Sequence, residues 1–201
     1  PLPQGLTLDP ISGLISGTPQ LQGGPTLHSI EGENGSGSTA TQISITVNPA
    51  APCSLQYPHN SLTLIVDEEA VFLEATVGCG AASLWSVNPA LPAGLSLDAL
   101  TGVISGITTQ LQGSLQYSIE ASNVSGSSIF SIGIEVVEPA PCDLQYPVAL
   151  ISLEVGEVQS ALTPAVSCGS VESYSVVPTL PTGLLLDPLT GVLSGTAAAL
   201  S

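Results

Sequence analysis

Two stretches of the chain alternate cleanly between apolar and polar residues. In 114–123, Leu115, Tyr117, Ile119 and Ala121 alternate with Gln116, Ser118 and Glu120. In 127–137, Phe130, Ile132, Ile134 and Val136 alternate with Ser131, Gly133 and Glu135. Successive side chains on a strand point to opposite faces, so this pattern predicts two antiparallel strands with one packed face and one wet face. Asn123-Val-Ser-Gly126 between them is turn chemistry. Shorter apolar runs bounded by Gly, Pro, Asn and Ser predict further strands at 61–66, 70–77, 83–87, 94–98 and 102–106, preceded by a short strand at 53–57. No stretch shows the period of an amphipathic helix.

The same pattern returns along the chain. Cys53-Ser-Leu-Gln-Tyr-Pro58 reappears 89 residues later as Cys142-Asp-Leu-Gln-Tyr-Pro147, and Cys79 reappears as Cys168. Leu91-Pro-Ala-Gly-Leu-Ser-Leu-Asp98 has copies at Leu2–Asp9 and Leu180–Asp187, each displaced by the same 89 residues. A fixed period across several motifs marks a tandem repeat. The expected organisation is the back part of one unit at 1–50, a whole unit at 51–139 and the front part of a third at 140–201. The chain thus reads as starting in mid-repeat, and Pro1 as a processed or cut end rather than a translation start. An 89-residue unit suits one small β-sandwich, since such domains run to about 100 residues. Pro-rich joints at Asn48–Pro52 and Glu138–Pro141 separate the units. Proline fixes φ and removes a donor, so these joints should hold the units in line.

Residues 91–106, Leu-Pro-Ala-Gly-Leu-Ser-Leu-Asp-Ala-Leu-Thr-Gly-Val-Ile-Ser-Gly, resemble the signature of the putative Ig-like repeat family, a relative of the dystroglycan-type cadherin-like domains. The signature stands again at 2–17 and 180–195, so the resemblance covers nearly the whole chain. It implies an all-β fold of tandem Ig-like/cadherin-like β-sandwich repeats on extracellular or cell-surface proteins, with no catalytic activity. Elementary turn chemistry agrees: Asp98 and Thr101-Gly102 suit an Asx-type turn between two short strands.

Composition narrows the function. Lysine and arginine are both absent, and sixteen Asp and Glu leave a net charge of -16. Neutralising phosphates needs basic side chains, so nucleic-acid binding is excluded. Electrostatic attachment to anionic lipid, an arginine finger and a P-loop lysine fall with it. Hydrophobic residues make up 43% of the chain and charged ones 8%, which favours folding over disorder. No apolar run is long enough to span a bilayer.

The four cysteines form two equally spaced pairs, Cys53/Cys79 and Cys142/Cys168. Antiparallel neighbours bring the ends of their strands together, so a disulfide within each unit is expected. Two thiolates without a nearby histidine make a poor zinc site, the competing reading. Disulfides in turn imply an oxidising, extracellular compartment. Asn34-Gly-Ser36 and Asn123-Val-Ser125 are N-glycosylation sequons at equivalent positions. Covalently attached glycans at Asn34 and Asn123 are expected on the solvent side of the hairpin, where they would hydrate a surface poor in charge. The plainer reading is that asparagine suits the turn. Ser36–Thr41 and the Pro joints are weaker candidates for O-linked sugars.

Asp9, Asp98 and Asp187 recur once per unit, which raises calcium as a ligand. Calcium needs about six to eight oxygens, usually from clustered carboxylates; no Asp-x-Asp or Asp-x-Asn-x-Asp cluster is present, and Glu31/Glu33 and Glu68-Glu69 are only close pairs. Turn-capping is the preferred reading, and no metal or other cofactor is expected. His28 and His59 are the only histidines, and His28 aligns with Tyr117 and reads as an ordinary strand position. No Ser/His/Asp set repeats, and nothing places two carboxylates in a pocket, so no catalytic residue is assigned. Trp85 aligns with Tyr174 and reads as core filler rather than a sugar-stacking platform.

The expected role is structural: a segment of an extracellular filament or surface fibre whose partners are other copies of itself. Ile43, Ile45 and Val47 match the inward residues Ile132, Ile134 and Val136, so 1–50 should end in an adhesive strand. Two explanations fit: the chain is a window cut from a longer continuous repeat, or 1–50 packs against the 140–201 region of another copy by strand donation, and the second is the expectation. Alternatives are an adhesin or receptor ectodomain binding a protein or carbohydrate, and a spacer in a larger secreted enzyme.

Overall fold

The computed structural model describes residues 1–68 and 70–198. Strands β1 (Leu6–Leu8), β2 (Ile15–Gly17), β3 (Gly23–Asn34) and β4 (Gly37–Val47) come first. The central stretch supplies β5 (Ser61–Ile65), β6 (Val71–Leu73), β7 (Leu84–Asn88), β8 (Leu95–Leu97), β9 (Ile104–Gly106), β10 (Gln112–Asn123) and β11 (Gly126–Val137). Then follow β12 (Val158–Leu162), β13 (Leu184–Leu186) and β14 (Leu193–Thr196). The fold is all-β, as the alternation predicts, and the described residues contain no helix.

The central strands form two sheets, β5-β11-β10-β7 and β6-β9-β8. β10 pairs antiparallel with β11 and β7, whereas β5 runs parallel to β11. The inward residues are those the alternation indicates. Tyr117, Ile119, Ala121, Ile132 and Ile134 are fully buried, with Val136 nearly so. Trp85, Leu73 and Ile104 meet them in the same core. Burying one such aliphatic side chain contributes about 1.5–3 kcal/mol, which is why one wet and one dry face suffice to define the sandwich.

Three local expectations are corrected. The 53–57 stretch forms no strand: it makes one isolated bridge, Gln56 to Thr76, and is pinned through Leu55 and Tyr57 in the core. Ser54 has a φ of 50° and Pro52 and Pro58 flank the segment, so a continuous ladder has neither the backbone shape nor the donors it needs. The 70–77 run shortens to Val71–Leu73, the residues that pair with β9; beyond them Thr76 pairs in the isolated bridge to Gln56. Leu115, expected inside, is 46% exposed. It sits where the β10–β11 register shifts between Gln112 and Leu115, so the end of the sandwich leaves it half covered.

The flanking stretches repeat parts of this plan. β1–β2 corresponds to β8–β9, and β3–β4 to β10–β11. β12-β14-β13 corresponds to β6-β9-β8. Residues 150–154 and 173–177, which stand 89 positions after β5 and β7, form no strand. Their ladder partners in the central unit are β11 and β10.

Candidate functional site

The signature motif builds one turn three times. The Asp98 carboxylate Oδ1 accepts the N–H groups of Leu100 and Thr101, both at 2.8 Å, and Gly102 N–H donates to the Asp98 carbonyl at 2.9 Å. Asp9 does the same for Ile11 and Ser12, and Asp187 for Leu189 and Thr190. Those bonds favour the ionised form. The Thr101 and then the Leu100 backbone N–H hold Asp98 below the usual carboxylate range; Ser12 and Ile11 act likewise on Asp9, and Thr190 and Leu189 on Asp187. The acids are thus engaged by their own turns. Among the described residues, no group of three or more His, Cys, Asp or Glu is placed to hold a metal. Glu69 of the acidic pair lies outside the described residues.

These lowered pKa values predict the pH dependence of the turns. A carboxylate that binds its proton less readily folded than unfolded contributes stability above its ordinary range, and that contribution is lost as pH falls through the folded value. Acidification below the ordinary value of 3.8 should therefore loosen all three turns, read as faster hydrogen exchange at Leu100 and Thr101. Asp98→Asn keeps an acceptor oxygen and removes the charge, and should flatten that dependence. An unchanged acid response in the variant would show that another group titrates.

The turn is clamped from inside. Trp85, 7% exposed, lies over Gly102, where a Cβ would come within 2.6 Å of the indole. Tyr57 Oη donates to the Gly102 carbonyl at 2.5 Å, and burial pushes its hydroxyl up to about 12. In the third unit Tyr174 takes the place of Trp85 over Gly191, and Tyr146 Oη donates to Gly191 at 2.6 Å. Trp85 is a core residue with no face open to a sugar. His28 is half-buried, and its Nε2 has no hydrogen-bond partner among the described residues.

Cys53 is joined to Cys79, and Cys142 to Cys168, with Cα separations of 5.1 and 5.2 Å. Each bridge ties the leading segment of its unit to the end of the next stretch.

The two sequons have different surroundings. Both side-chain carbonyls accept the N–H two residues on, Ser36 at 2.9 Å and Ser125 at 2.8 Å, as in an Asx turn. Asn34 is exposed, and its amide nitrogen has no partner among the described residues. Asn123 is half-buried, and its Nδ2 donates to Ala50 O at 2.7 Å and Ala81 O at 3.0 Å. Ser125 Oγ donates to Pro49 O at 2.6 Å. The expected solvent-side position therefore describes Asn34 and not Asn123, because the first Pro-rich joint is docked on the β10–β11 turn.

Glycine makes that docking possible. A Cβ on Gly80 would lie 1.7 Å from Ala50 O, and one on Gly169 would lie 1.7 Å from Pro139 O. The second joint is further held by Glu138, whose carboxylate accepts the Ser170 hydroxyl at 2.5 Å and its N–H at 3.0 Å. Those bonds, the hydroxyl's first, hold Glu138 below its usual range. No local motif announces these joint contacts; the recurrence of Cys-Gly at 79–80 and 168–169 is their one signal of close backbone approach in the sequence.

Residues 51–137 match the family model described as Putative Ig domain. Over this stretch the chain is similar to the Ig-domain family. Among solved structures, the chain is similar to a three-Ig fragment of titin, domains I67–I69, at 13% identity over 96% of this chain and 72% of that one, with a TM-score of 0.49. It is also similar to human protocadherin-24 EC1-2, at 11% identity over 75% and 79% of the two chains, TM-score 0.42. A "putative alpha-galactosidase" of Bacteroides fragilis is 26% identical over 47% of this chain, TM-score 0.36; the matched part is 19% of that protein's length. No curated protein matches the chain. The central unit has the two sheets of a sandwich and a disulfide. Among the described residues, no helix is long and apolar enough to cross a membrane.

Proposed function

We propose that this chain is a non-catalytic structural segment of an extracellular filament or cell-surface fibre, built from Ig units in tandem and assembling head to tail with other copies of itself. The observation that carries the reading is a complementarity between the two flanking stretches. β3–β4 has the register of β10–β11, yet Ile43, Ile45 and Val47 are only half-buried where Ile132, Ile134 and Val136 are closed off. Residues 150–154 and 173–177 stand at the β5 and β7 positions of the repeat. In the central Ig unit those positions flank the β11-β10 pair, so a β3–β4 hairpin from one copy fits between them in another. A head-to-tail contact of this kind is heterologous and propagates.

The docked joints support a stiff fibre, since each linker is bound to the unit that follows it. The disulfides support an oxidising, extracellular location. N-glycosylation at exposed Asn34 fits the same setting. Sedimentation velocity and negative-stain electron microscopy of the purified chain test the assembly. Concentration-dependent linear oligomers are expected, and Ile45→Asp in β4 should reduce them to monomer. A monomer at all concentrations for the unsubstituted chain would overturn strand complementation.

A further inference from the structure

We propose that Asn123 is the latch of the joint, and that latching and N-glycosylation at this sequon exclude one another. The direction of one amide decides this. Oδ1 accepts the Ser125 N–H, which fixes which end of the side chain is oxygen. Nδ2 then faces two backbone carbonyls, Ala50 in the linker and Ala81 after the Cys79-Gly80 pair. An asparagine amide has two hydrogens, and both are used. Neither acceptor is near in sequence: they lie 73 and 42 residues away.

The rest of the turn follows the same path. Ser125 Oγ takes the Pro49 carbonyl, and a Cβ on Gly126 would meet the Ala51 methyl at 3.1 Å. Gly80 N–H donates to Ala51 O at 3.2 Å from the other side. Pro49, Ala50 and Ala51 are thus each held by the Ig unit that follows. The prolines stiffen the linker, but these bonds set its direction.

An N-glycan forms when the anomeric carbon of an activated sugar bonds to Nδ2, the donor's leaving group departs and one amide hydrogen is lost as a proton. That removes one of the two donors and places a bulky group where carbonyl oxygens stand at 2.7 and 3.0 Å. A glycan on Asn123 would therefore release the linker. The sequon residues Asn123 and Ser125 serve the joint through the same two side-chain groups that glycosylation requires.

The test measures hydrogen exchange and glycan occupancy on the full chain secreted from a glycosylating cell. The Gly80 amide reports the joint, and the Tyr117 amide within β10 reports the fold. Bare Asn123 with a protected Gly80 amide is the expected native state. Asn123→Asp keeps the oxygen for Ser125 but loses both donors and sets a charge against two carbonyls; Gly80 exchange should rise at least tenfold with Tyr117 unchanged. Should that variant not fold, Ser125→Ala removes only the Pro49 bond and should raise Gly80 exchange severalfold. Unchanged Gly80 exchange in whichever variant folds overturns the latch. A glycan on Asn123 in material whose Gly80 amide keeps its protection overturns the exclusion.

Discussion

Replacing Trp85 by alanine should destabilise the Ig unit by about 3–5 kcal/mol, the cost of emptying a large buried aromatic site. Trp85 packs with Tyr117, Ile119 and Ile104 in the core and also covers the turn glycine. Its removal leaves Gly102, whose φ of +74° holds the turn, without the ring that fits against it. The measurement is urea unfolding followed by circular dichroism. A loss below about 1 kcal/mol would show that the core collapses into the space. Gly102→Ala should be costly in the native background, since its Cβ would sit 2.6 Å from the indole and φ is positive. The same substitution should cost less once Trp85 is alanine, because only the backbone strain remains. That coupling is readable in a double-mutant cycle.

Cys53→Ser with Cys79→Ser should cost about 3.5 kcal/mol on the chain-entropy model for a loop of this length. The sequence separation is 26 residues. The cost falls on a segment with little else to hold it. Residues 53–57 make one isolated bridge, yet deliver Leu55 and Tyr57 to the core at 4% and 7% exposure. Freed of the bridge, the segment should fray and take both side chains with it. Trp85 is the only tryptophan, so its fluorescence follows the unfolding of this unit. An unchanged urea midpoint would mean that Leu55, Tyr57 and the Tyr57–Gly102 bond suffice alone.

Much of this was legible along the chain because it depends on near neighbours. The two-residue alternation at 114–123 and 127–137 names the buried face, since successive strand residues must point to opposite sides. The constant 89-residue offset marks the units and aligns the cysteines. Asp98 and Gly102 specify their turn within five residues, through bonds that span two to four positions. Tertiary structure decided what distant residues do to one another. The alternation that buries Tyr117 also predicts Leu115 inside, but the register shift beside it leaves Leu115 half covered. Asn34 and Asn123 belong to sequons of the same form, yet only Asn123 meets a linker carbonyl 73 residues away. Local pattern determines which way a side chain points from its own strand; what waits for it there is set by how the sheets and joints pack, and no window of sequence contains both partners.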